Sequence, residues 1–253
     1  MRTWVNGTVV DGAAAQVSVF DHGLTVGDGV FETVKVVDGV PFALTRHLAR
    51  LADSAHGLGL PAPEETVVRA AVEETLRANA EALASPLRLR ITLTGGTSPL
   101  GSDRGDQGPT LVVALAPMAA WADSDKVVVV PWTRNERSAT AGLKTTSYAE
   151  NVVALAHAKA HGGSEALFAN TRGELCEGTG SNVFVVLGDR VLTPPLHSGC
   201  LAGVTRALVL EWTEAQEADL GMAVLEEADE VFLTSSTRDV QAVHAVGDRT
   251  LPA

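Results

Sequence analysis

Two cysteines, Cys176 and Cys200, are all that 253 residues contain. They show neither metal-ligand nor redox spacing, which argues against a disulfide framework and fits a reducing compartment. Aromatic residues are few, at 4%. Positive charge is also short: 19 Lys and Arg face 31 Asp and Glu, for a net charge of -12. No basic block is present, so nucleic acid is not an expected partner. No apolar run approaches the roughly 20 residues that cross a bilayer. The start, Met1 to Gly7, has no apolar signal core. A soluble, cytoplasmic protein is the expectation. No metal site is expected either: His157 and His161 share a helical face but lack a third ligand.

What remains is a globular composition, 45% hydrophobic and 20% charged, with ample material for a core. Thr3 to Val10 reads as a hairpin around Asn6-Gly7, and Val30 to Phe42 as another around Asp38-Gly39. Leu44, Leu48, Leu51, Ala55 and Leu58 follow helical spacing, with Thr45 as the expected cap. Pro63 to Leu83 predicts a second helix. Leu87 to Thr94 alternates strictly, with Arg88, Arg90, Thr92 and Thr94 on the polar face of a half-buried strand. Thr110 to Ala116 predicts a further strand. A linker at 117–125 then separates a domain at 1–116 from one at 126–253. In the second half, helices are expected over Ser147 to His161 and Val204 to Asp219. Strands are expected over Val127 to Val130, Glu165 to Asn170, Asn182 to Leu187 and Glu230 to Thr234.

Of four lysines, Lys144 stands apart. Small hydroxylated residues flank it in Gly142-Leu143-Lys144-Thr145-Thr146-Ser147, between an expected strand and an expected helix. A lysine in such a loop is ordinarily solvated. Its companions change that reading. Glu177, in Cys176-Glu177-Gly178-Thr179-Gly180-Ser181-Asn182, offers a carboxylate beside glycines that let a flat ring approach the backbone. Gly203-Val204-Thr205-Arg206 falls where a helix begins, and helix starts bind anions. Thr234-Ser235-Ser236-Thr237 adds hydroxyls after a strand. Arg50, in Arg46-His47-Leu48-Ala49-Arg50, offers a guanidinium suited to phosphate.

Taken in chain order, from Asp21-His22-Gly23 to Val246, these motifs resemble the class IV aminotransferases, the pyridoxal 5′-phosphate (PLP) enzymes of fold type IV. The resemblance implies an α+β fold: a small N-terminal α/β domain, a larger C-terminal one, PLP in the cleft between them, and a homodimer. It implies a Schiff-base role for Lys144 and a ring-nitrogen partner in Glu177. Arg50, Val204, Thr205, Ser235 and Ser236 are then phosphate partners. Tyr148 is a further cofactor contact, although it follows the lysine by four residues where branched-chain enzymes use five. Candidates for the substrate are Arg90, Arg104, Phe31 and Lys35, the two arginines as carboxylate grips. After Thr97-Ser98-Pro99 come Leu100 and Ser102, so the arginine and histidine of D-amino acid aminotransferases are absent. The run Lys144 to Val153 and the loop Leu100 to Gly105 look most like aminodeoxychorismate lyases, which release p-aminobenzoate and pyruvate for folate biosynthesis. The expected activity is therefore that lyase. The alternatives are an aminotransferase acting on branched-chain or D-amino acids with a 2-oxo acid acceptor, and a PLP-binding module without catalysis.

Overall fold

Asn6 and Gly7 both take positive φ, 42° and 91°, as do Asp38 and Gly39, 50° and 76°. These are the angles of primed two-residue turns, whose twist matches that of paired strands. In the computed structural model, which describes residues 1–252, the first turn joins β1 (Arg2–Val5) to β2 (Thr8–Asp11). A short helix, α1 (His22–Thr25), precedes β3 (Gly29–Val37), and the second turn leads into β4 (Val40–Pro41). Helices α2 (Leu44–Gly57) and α3 (Glu65–Ala78) follow, then β5 (Leu87–Thr94) and β6 (Thr110–Pro117). The six strands form one antiparallel sheet in the order β2-β1-β6-β5-β3-β4.

One face of that sheet is apolar because β3 and β5 alternate. Val30, Val34 and Val36 join Leu87, Leu89, Ile91 and Leu93 against Leu48, Leu51 and Ala55 of α2 and Val68, Ala71 and Val72 of α3. Thr45 does not cap α2. The cap position is Ala43, in the left-handed region at φ 52°, and the Thr45 hydroxyl accepts instead from Arg69 Nη2 at 2.8 Å.

The second unit begins at Ala120, and its first strand is β7 (Ser124–Arg134). Next come α4 (Ala149–Ala160), β8 (Glu165–Asn170), β9 (Leu175–Gly178), β10 (Asn182–Leu187) and β11 (Arg190–Thr193). The chain continues through α5 (Val204–Trp212), β12 (Gln216–Glu217), α6 (Val224–Glu227), β13 (Glu230–Ser235), β14 (Asp239–Val246) and β15 (Arg249–Thr250). The nine strands make a mixed sheet ordered β12-β11-β10-β13-β14-β7-β8-β9, with β15 added to β14. Its core includes Val127, Leu167, Val183, Val185, Val231 and Leu233. Among the described residues no helix is long and apolar enough to cross a membrane.

The chain passes from the first unit to the second after Ala119, and one later segment departs from that division. Leu143–Tyr148 belongs to the first, although the chain on both sides of it belongs to the second. Backbone pairing is the reason. Phe31 N–H donates to the Lys144 carbonyl at 3.0 Å, and Thr146 N–H donates to the Gly29 carbonyl at 2.8 Å. The expected linker is also shorter, since β6 runs through Pro117 and β7 starts at Ser124.

Candidate active site

Residues directly opposite in antiparallel strands project from the same face. Thr33 of β3 lies opposite Arg90 of β5, Lys35 opposite Arg88, and Phe31 opposite Thr92. Their neighbours Val30 and Val34 fill the core, so this set occupies the other face of the sheet. Arg90 stacks on the Phe31 ring with its guanidinium carbon 3.7 Å from the centroid, and donates to the Thr33 hydroxyl at 3.2 Å. Lys144 Nζ lies 4.5 Å from the same centroid. Tyr148 meets Phe31 edge-on at 5.2 Å. Phe31 is thus an apolar ring with two cations close to its π system. The lysine backbone is fixed as well: its N–H donates to Ser54 Oγ on α2 at 3.2 Å.

Arg104 sits elsewhere. It grips Asp28 with two bonds of 2.7 and 2.6 Å and donates to the carbonyls of Gly59 and Leu58 at the end of α2. Hydrogen bonding from Arg104 is the main force lowering the Asp28 pKa, against burial. This arginine ties a loop to a helix end, whereas Arg90 meets the same Phe31 ring as Lys144. Sequence spacing treats the two alike, because only their partners distinguish them.

Arg50 projects from α2 towards β3, where it meets Glu32 on the core face. Nε and Nη2 donate to the two carboxylate oxygens at 2.8 and 2.7 Å. His47 Nδ1 adds a third contact with that carboxylate at 2.6 Å. Glu32 and His47 are fully buried. Burial alone would raise the Glu32 pKa; the bonds from Arg50 and His47 outweigh it and bring it from 4.5 down to about 2. Neither residue was among the sequence candidates. A glutamate on the apolar face of an alternating strand was the available signal.

In the second unit Glu177 occupies β9. Its Oε2 accepts from the Leu201 N–H at 2.8 Å and its Oε1 lies 3.1 Å from Arg134 Nε. Arg134 is itself held over Phe168 and bonded to Glu150 and Asn151. Asn151 donates to the Thr179 carbonyl at 2.6 Å, fixing the turn that follows Glu177. Arg134 and Asn151 were missed because neither lies near Glu177 in sequence.

α5 starts at Val204 with Gly203 as its cap and no capping side chain. The first N–H groups of a helix have no partner within it. A Cβ at Gly203 would lie 1.9 Å from Asn182 Oδ1, so glycine is required for this approach. β13 ends at Ser235, and Ser236 follows; both are half-buried. The preceding hydroxyl, Thr234 Oγ1, is buried without a partner. Cys176 and Cys200 are buried beside these segments, and their desolvation raises both thiol pKa values, Cys200 to about 11. They are inert at neutral pH.

An uncapped helix start, a hydroxyl loop and a carboxylate facing an arginine are the donor and acceptor set that PLP requires for its phosphate and ring nitrogen. The residues fit the group. The chain matches the family described as class IV amino-transferases over residues 29–246. It belongs to that family. PLP is accordingly its cofactor and fold type IV its architecture. A putative branched-chain-amino-acid aminotransferase of Methanocaldococcus jannaschii is 34% identical over 99% of this chain and 90% of its own length. A bifunctional aminodeoxychorismate lyase / D-amino acid transaminase of Mycobacterium tuberculosis is 31% identical over 89% of this chain and 84% of its own. Among solved structures, a hypothetical aminotransferase from Mycobacterium tuberculosis in its PLP-bound form superposes with a TM-score of 0.91 at 27% identity, covering 100% of this chain and 93% of that one. Class IV membership makes the chain a PLP-dependent aminotransferase or lyase.

Proposed function

We propose that this class IV enzyme is an aminotransferase of the branched-chain type, passing an amino group to a 2-oxo acid. This replaces the lyase favoured by the motif resemblance. The supporting observation is the nearly full-length likeness to the branched-chain relative at 34% identity. PLP, when bound, supplies an electron sink for the pair left as the substrate carbon loses its proton. Lys144 Nζ would anchor the cofactor, and its amine would carry the proton to and from the substrate carbon. Glu177 would hold the proton on the ring nitrogen, and Arg134 with the Leu201 N–H aims its carboxylate. Val204, Thr205, Ser235 and Ser236 would hold the phosphate, the role that the family resemblance also gives Arg50. Arg90 fixes a substrate carboxylate beside the amine, with Phe31 shielding one side and Lys35 further along the same face. A homodimer forms part of this proposal.

The deciding assay offers the PLP-loaded protein leucine or isoleucine with 2-oxoglutarate, and separately aminodeoxychorismate with no acceptor. Acceptor-dependent release of the branched 2-oxo acid, without p-aminobenzoate, is expected. Repeated release of p-aminobenzoate with equimolar pyruvate would establish the lyase, the activity named first for the 31% identical relative.

The two arginines separate in the same assay. Arg90→Leu is expected to raise KM for the 2-oxo acid by about tenfold to a hundredfold, the loss of one charge-assisted grip of roughly 1.5–3 kcal/mol. Arg104→Leu is expected to leave KM within about twofold and to lower stability by roughly 1–2 kcal/mol. Equal KM effects from both would refute the assignment.

A further inference from the structure

Glu165 opens β8 with its side chain almost wholly buried. It accepts from the Thr179 N–H at 2.9 Å, from the Thr179 hydroxyl, and from Ser181 Oγ at 3.0 Å. The turn that follows Glu177 is therefore wrapped round one carboxylate. A Cβ at Gly178 would meet Ser181 Oγ at 2.4 Å and the Glu165 carboxyl carbon at 3.1 Å, which shows how closely it is wrapped. Behind Glu165 lies Arg238, also buried, with Nη2 3.3 Å from Glu165 Oε2. Its Nη1 donates to Asp125 Oδ2 and Gln241 Oε1, both at 2.5 Å, and its guanidinium stacks on Trp121 at 3.9 Å. The Arg238 backbone N–H donates to Ser235 Oγ at 3.2 Å, closing the loop Ser235-Ser236-Thr237.

We propose that Glu165 and Arg238 are positioning residues for the cofactor, Glu165 setting the turn behind Glu177 and Arg238 setting the hydroxyl loop. The inference rests on the phosphate and ring-nitrogen roles given above. It goes beyond them because neither residue touches the cofactor. Each holds a segment that does. A planar guanidinium is needed at position 238, since Nη1 bonds both Asp125 and Gln241, Nη2 reaches Glu165, and the plane stacks on an indole. Lysine keeps the charge but not this fork. The bond between Glu165 and Arg238 is the longest in the cluster, so each residue acts chiefly on its own segment.

The test is reconstitution of the cofactor-depleted full-length protein, titrated by absorbance with PLP and with pyridoxal, which lacks the phosphate. Arg238→Lys is expected to weaken PLP about tenfold and pyridoxal no more than twofold, because only the phosphate end is disturbed. Glu165→Gln is expected to weaken both ligands alike, by about fivefold, because the ring end is common to them. A general loosening of the fold would lower both affinities in both variants, and that result overturns the proposal. Unchanged affinities overturn it too. If Arg238→Lys fails to fold, Asp125→Asn removes the charged partner of Nη1 without changing shape, and the same preferential loss of PLP is required of it. Wild-type protein that binds neither ligand would refute the cofactor roles instead, so the two failures are distinguishable.

Discussion

Replacing Lys144 with alanine is expected to remove both turnover and the visible absorbance of the PLP-loaded protein. The drop in kcat is expected to reach at least about a thousandfold, since the proposed mechanism gives one side chain both covalent anchorage and proton transfer, and general acid–base catalysis alone contributes roughly a hundredfold to ten-thousandfold. The fold should survive. Lys144 is held through its backbone, by Phe31, Ser54 and the isolated bridge of Val30 to Thr145, none of which needs the side chain. Circular dichroism and the melting temperature should therefore stay near wild type. The measurement is steady-state turnover with a spectrum recorded on the same sample. Full activity in this variant would end the catalytic account.

Removing the Glu32 carboxylate has the opposite profile: a large loss of stability, with chemistry affected through Arg50. Glu32→Ala leaves Arg50 and the buried His47 without their shared partner, and breaking a buried pair on one side costs about 3–5 kcal/mol. The same residue sets an acid limit. Its folded pKa, about 2, lies below its ordinary 4.5. A group so lowered binds fewer protons folded than unfolded, so its contribution is complete above about pH 4.5 and is lost as pH falls towards 2. At about 1.36 kcal/mol per pKa unit, the amount is roughly 3 kcal/mol. Urea midpoints across this range should fall in the wild type, while Glu32→Gln should lose the part of that fall due to this carboxyl. Parallel pH profiles for the two proteins would show that Glu32 is not the group responsible.

How much of this was legible depended on whether the determining partner was near in sequence. The hairpins at Asn6-Gly7 and Asp38-Gly39 and the strand Leu87–Thr94 were readable because turn angles and two-residue alternation are local. α5 was not: its pattern suggests a helix to Asp219, yet it ends at Trp212. There Thr213 turns extended, and Gln216 and Glu217 pair with Leu192 and Thr193, a gain that no local propensity reveals. β9, β11 and β14 escaped for related reasons, the first two being only four residues long. At the site, residue types were recognisable from their motifs. The residues that hold them were hidden, because Glu32, Arg134, Glu165 and Arg238 act across long stretches of chain.

The segment Leu143–Tyr148 also bears on how far the chain can be divided. It lends its backbone to the start of β3, where Gly29 and Phe31 would otherwise present open hydrogen-bonding groups. A fragment cut after Ala119 would expose that edge, a template for adhesion between copies, and would lack the reactive amine. The complementary fragment would retain the amine without the strand that orders it. The two units are thus not interchangeable modules. Gene fusion, domain swapping or permutation can preserve this enzyme only if that six-residue excursion stays intact.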